Sequence, residues 1–132
     1  MLGRGDFRAA MVAVDSALSL ARATAAGEGD LPELLLHRAR VALAMHRYAD
    51  AERDATMALD GARALAGGDA PSATVGDVYL ALGHARRGQG ALGDARAAFA
   101  AAAQHLRPTV GPDHPTTDEA VRLAAGVADP AE

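Results

Sequence analysis

The chain has 132 residues and a net charge of -4; half of its residues are hydrophobic, but only 3% are aromatic. It has no Cys, which excludes disulfides, thiolate catalysis and Cys-based zinc sites. Its acidic balance argues against a nucleic-acid footprint, and no apolar run approaches the ~20 residues needed to span a bilayer.

Ala, Leu and Val dominate the apolar half, and every basic side chain is Arg. Ala and Leu are strong helix formers, so the expectation is a single all-α domain over residues 1–132. The Arg-only, Ala-rich and Gly-rich usage fits a GC-rich bacterial genome. The opening "MLGRGDF" has no apolar signal segment, so a soluble cytoplasmic protein is the simplest expectation.

Six helices are predicted. The first runs Asp6–Ala26 and ends at "GEGDLP". The second, Leu31–Ala44, starts with Asp30 and Glu33 spaced as a capping box and with Pro32 in the first turn. A short break at Met45–Arg47 leads into the third, Tyr48–Ala66. "GGDAPS" then separates it from the fourth, Ala73–Arg87, with Ser72 as N-cap. "RGQG" leads to the fifth, Ala91–Leu106. After "RPTVGPDHPTT" the sixth runs Thr117–Val127, with Thr116 or Thr117 as its cap. Short connections make antiparallel hairpins, and long ones join hairpin to hairpin.

Helices one, three and five repeat one another. Phe7, Tyr48 and Leu92 coincide near their starts, at offsets of 41 and 44 residues. Ala10, Ala51 and Ala95 follow, then Val14, Ala55 and Phe99, then Ala17, Ala58 and Ala102. These positions share one helix face. Ala at fixed steps lets two backbones come close, since larger residues there would overpack. Gly83 plays the same part in helix four, where Leu82–Gly83 is expected to face Ala95.

The run Tyr79, Leu82, Gly83, Gly90, Leu92, Ala95, Phe99 and Ala102 resembles the tetratricopeptide repeat. The middle unit keeps Leu35, Ala39, Tyr48, Ala51 and Ala58, but has Arg38 where Leu is usual and His46 where Gly is usual. The period exceeds the repeat's usual ~34 residues. "VGPDHPTT" resembles the linker of long-period, kinesin-light-chain-like members. The resemblance implies a superhelix of hairpins: a second helix of a partial unit (6–26), repeats 31–66 and 73–106, and a partial or capping helix (117–127).

It also implies a concave groove that binds a protein or peptide, as a scaffold within a larger bacterial regulatory or multi-subunit protein. The groove-facing residues in that register are Glu33, Leu36, His37, Arg40 and Leu43 on helix two, with Asp77, Leu80, His84 and Arg87 on helix four. Arg40, His84 and Arg87 would bracket a carboxylate or an acidic peptide; the plainer expectation is solvated residues paired with Glu33 and Asp77. The first helix lacks a first-helix mate, so its edge of Phe7, Met11, Val14 and Leu18 is expected to lie uncovered and to offer a homodimer contact. A self-associating structural unit is the alternative function, and a small-ligand-sensing domain of a regulator a third.

Enzyme chemistry has little support. His37, His46, His84, His105 and His114 form no His-x-x-x-His pair, so neither a metal nor another cofactor is expected. Ser16, Ser19 and Ser72 lack a nucleophile-elbow context. Glu52 with Asp50 or Asp54 reads as solvated carboxylates on exposed helix faces. His105 suits a helix C-terminus, and His114 is expected to order its loop.

Overall fold

Residues 4–24 and 29–126 are described by a computed structural model, and they form an all-α fold. Its helices are α1 (Arg4–Ala23), α2 (Leu31–Ala44), α3 (Tyr48–Ala66), α4 (Ala73–Gly88), α5 (Leu92–Leu106) and α6 (Pro115–Ala124). The expected order holds throughout. α1 begins two residues earlier than expected, and Ala25 and Ala26 lie outside the described residues. α6 likewise starts earlier, at Pro115, and Val127 lies outside the described residues.

Local chemistry explains most of the ends. Ser72 has extended backbone and its hydroxyl accepts from the Val75 N–H at 3.2 Å, as an N-cap should. Two expected caps are corrected. Asp30 has helical backbone (φ -89°, ψ -12°) and makes no capping hydrogen bond, so no capping box forms with Glu33. α6 is capped by His114, whose Nδ1 accepts from the Thr116 N–H at 3.1 Å ahead of Pro115. Thr117 is fully buried, and its hydroxyl has no hydrogen-bond partner.

The two tight turns share one design. After α2, His46 N–H donates to Leu43 O (3.0 Å) and Arg47 N–H to Ala42 O (2.9 Å). After α4, Gly90 N–H donates to Arg87 O (3.0 Å) and Ala91 N–H to Arg86 O (2.9 Å). Both central residues are left-handed, His46 at φ 58° and Gly90 at φ 82°. This is the Schellman arrangement, in which the left-handed residue usually needs glycine. His46 fills it as the sole described non-glycine residue with positive φ, and its ring stacks on Tyr48 at 5.7 Å.

α2 with α3 and α4 with α5 form hairpins, α4 also packs on α3 and α2, α1 lies on α2, and α6 lies on α5. One core cluster joins Val14 and Leu18 of α1 to Leu35, Leu36, Ala39, Ala55, Ala58, Val78 and Leu82. A second joins Leu80, Ala95, Phe99, Ala102 and Leu106 to Ala120 and Leu123 of α6. Each fully buried Leu, Val or Phe contributes about 1.5–3 kcal/mol. Ala contributes much less, so close backbone approach carries the rest of the packing.

That approach is seen most directly at Gly83. Gly83 lies against the Phe99 ring: a Cβ on Gly83 would sit 2.5–2.6 Å from two ring carbons. Glycine there makes room for the one fully buried aromatic side chain.

Two further expectations are corrected. Val14 and Leu18 of α1 are buried against the α2–α3 hairpin, so that edge is covered. The exposed large apolar residues of α1 are Val12 (61%) and Leu20 (68%), on the opposite side. Asp54 is no solvated carboxylate. It is buried at 2% exposure and accepts two hydrogen bonds from Arg38, Nε to Oδ2 at 2.9 Å and Nη2 to Oδ1 at 2.8 Å. Arg38 Nη1 also reaches Asp15 of α1 at 2.8 Å, so one guanidinium ties three helices together. These contacts raise the Arg38 pKa further, with the Asp54 hydrogen bonds the largest cause. Glu52 is engaged as well: it accepts from Arg86 Nε (3.3 Å) and Gln89 Nε2 (3.1 Å), linking α3 to α4.

Candidate functional site

α2, α4 and α6 alternate with α3 and α5 along the chain, and they wall a cavity of about 430 Å³. Arg40 and Leu43 come from α2; Asp77, Leu80, Ala81 and His84 from α4; Thr116 and Glu119 from α6. Leu106, Val110 and His114 close it from the end of α5 and the loop after it. A second cavity of about 520 Å³ lies beside it, lined by Leu43, Ala44, Tyr48, His84, Arg87 and Gly88. His84 and Leu43 belong to both.

The helical period explains the α4 wall. Asp77, Leu80, Ala81 and His84 recur at three- and four-residue steps, so they share one face. Leu80 is mostly buried and forms apolar floor, whereas the polar heads of Asp77 and His84 reach the opening.

His84 is held from three directions. Arg87 Nη2 lies 3.2 Å from its Nδ1, and Glu119 Oε1 lies 2.8 Å from its Nε2. A guanidinium can only donate, so Nδ1 accepts and the ring proton sits on Nε2, directed at Glu119. Phe99 meets the imidazole edge-on, with centroids 5.2 Å apart. The His84–Glu119 contact therefore straps α4 to α6, and His84 borders both cavities.

Asp77 and Arg40 behave differently. Neither makes a side-chain hydrogen bond or a close ion pair with another described residue. Asp77 is half-buried, and desolvation pushes its carboxyl above the ordinary value of 3.8; the nearby charges of Arg40 and His114 oppose that rise only in part.

The expected groove residues thus divide. Arg40, Asp77, Leu80 and His84 line the first cavity, and Arg87 lines the second. Glu33 and His37 are exposed on α2 but line neither. Leu36 is core, packed between α1, α3 and α4, because its position turns inward with Leu35 and Ala39. Arg40, His84 and Arg87 do not converge as a three-residue bracket, since Arg87 bonds to His84 and faces the second cavity. Among the described residues no close ion pair joins Arg40 or His84 to Glu33 or Asp77, although the Arg40 charge acts on Asp77; His84 pairs with Glu119. Sequence reasoning missed Glu119, Thr116, Val110 and His114. The signal was present, because a sixth helix read as the first of another unit belongs on the same wall as α2 and α4.

Among the described residues no group of three or more His, Asp or Glu is placed to hold a metal ion. None of their helices is long and apolar enough to cross a membrane. Comparison with models of protein families, with curated proteins and with solved structures found no match to the chain.

Proposed function

We propose that this chain is a tetratricopeptide-type scaffold module that binds a protein or peptide, without catalysing a reaction, within a larger bacterial cytoplasmic protein. The observation that carries the reading is the double cavity along α2, α4 and α6, with an aliphatic floor and a polar rim. A row of first-type helices that share one open wall suits an extended chain lying across them. The tied Arg87–His84–Glu119 chain supports it, because prearranged polar groups reduce the ordering cost of binding.

The test is selection of a random peptide library on the immobilised chain, followed by titration of enriched peptides against wild type and Val110→Arg. Val110 lines the first cavity and is substantially exposed, so the Arg side chain blocks the rim without entering the core. A tenfold or greater loss of affinity, with unchanged thermal melting, is expected. Failure to enrich any peptide, or equal binding by the variant, overturns the reading.

A second reading, self-association, is favoured by the outer stripe of α1. Ala9, Val12, Ala13, Ser16 and Leu20 are exposed on one side of that helix, with two large apolar residues among them. Light scattering over a wide concentration range separates the readings. A dimer that Leu20→Glu dissolves favours this one, and a monomer throughout removes it.

A further inference from the structure

The first cavity holds two opposite charges that do not meet. On its α4–α6 wall His84 is already engaged, between Arg87 Nη2 and Glu119 Oε1. Arg40 and Asp77, by contrast, face the same cavity and reach no bonding partner among the described residues. The aliphatic side chains of Leu80, Leu106 and Val110 line the same cavity. His114 also lines this cavity, and its Nδ1 is taken by the Thr116 N–H.

A half-buried carboxylate without a bonded partner has lost part of its hydration and gained little in return, as the upward shift of Asp77 reflects. A cation arriving there restores what burial removed. An exposed guanidinium offers a planar fork to a carboxylate. The opposed pair disfavours ligands of a single sign, because whichever charge suits one residue is repelled by the other. An acidic segment alone, which suits a bracket of basic residues, leaves Asp77 facing like charge.

We propose that this cavity takes a partner segment with both signs of charge: a basic side chain on Asp77 and an acidic one on Arg40, with an aliphatic residue between them over Leu80 and Val110. The inference rests on the peptide-binding reading and names the chemistry of its ligand.

The test uses fluorescent ten-residue peptides on an Ala/Leu background. One set carries Lys and Glu separated by one to four residues, in both orders. The controls replace Lys, Glu or both by Ala. Binding is measured at low and at physiological salt with wild type, Asp77→Asn and Arg40→Gln. Both substitutions are near-isosteric at the open rim, and melting curves confirm the fold. The best two-charge peptide is expected to bind at least tenfold tighter than the neutral control. Asp77→Asn should abolish the advantage given by Lys and keep that given by Glu; Arg40→Gln should do the reverse.

Equal binding by two-charge and neutral peptides overturns this inference and leaves the peptide-binding reading standing. So does a Lys advantage that survives Asp77→Asn. If none of these peptides binds while library-selected peptides do, this inference alone falls. If neither kind binds, both fall.

Discussion

Arg38 grips Asp54 at two points, with both hydrogen bonds under 3 Å, at the junction of α1, α2 and α3. Asp54 is almost wholly removed from water, whereas Arg38 keeps partial exposure and a second contact to Asp15. Removing one partner of such a pair strands the other. Arg38→Leu, which leaves the buried Asp54 without its partner, is expected to cost about 3 kcal/mol in chemical denaturation. The double variant Arg38→Leu/Asp54→Ala, which takes away both charges, should recover most of that loss. A double variant no more stable than Arg38→Leu would mean that the pair contributes far more than it costs to bury.

His46 and Gly90 occupy the same left-handed position in two turns with matching hydrogen bonds. The conformation costs a residue with a Cβ about 1 kcal/mol. His46→Gly should therefore stabilise the fold by up to about 0.5 kcal/mol, the lost Tyr48 stack offsetting the rest. Gly90→Ala should destabilise it by about 1 kcal/mol. No other atom lies within 4 Å of the new Cβ, so the cost is purely conformational. Opposite signs in urea titrations are the expected result, and equal signs would refute the equivalence of the turns.

Gly83→Ala drives a methyl group into the Phe99 ring. Overpacking of this kind costs about 1–3 kcal/mol, against a helix-propensity gain of up to about 1 kcal/mol. A net loss near 1–2 kcal/mol is expected. In a Phe99→Leu background the clash is relieved, so the same Gly83→Ala change should become neutral or favourable. A cost that persists there would place the strain somewhere other than the ring.

Asp77 gives a pH dependence whose sign follows from burial. Its folded-state pKa is raised, so the native chain holds that proton more tightly than the unfolded chain does. Stability from this group is then present below the ordinary carboxylate range and lost as pH rises through the raised value. Asp77→Asn should melt higher than wild type at pH 7, and the gap should close as pH falls toward about 4. The gain is small, since water screens a half-exposed group. A gap that stays constant from pH 7 to pH 3 would show that the carboxylate is not the cause.

The elements were legible wherever a short-range rule decides them. Ala and Leu periodicity marked all six helices, and Ser72 could be read as a cap because its hydroxyl bonds three residues away. Asp30 misled because a cap needs extended backbone, and the chain enters α2 already helical. At α6 the residue types favour a threonine cap, yet the imidazole nitrogen of His114 ahead of Pro115 accepts as well as a hydroxyl. Asp54 was illegible in principle. Beside Asp50 and Glu52 it looks solvated, and only the docking of α2 onto α3 brings Arg38 over it. The same holds for the site: Arg40, Asp77 and His84 followed from helical register, whereas the partner of His84 is Glu119, 35 residues away across a loop whose path no local pattern specifies.

The matched turns at His46 and Gly90 also make the chain divisible. Forty-four residues separate two points at which the backbone leaves one helix and enters the next through the same hydrogen bonds. A gene segment spanning residues 47–90 therefore starts and stops at interchangeable joints, and splicing in a second copy would ask no new geometry of either junction. The module could be lengthened in whole units, each adding a further α4-like wall, and the length of ligand it spans would become a matter of counting copies.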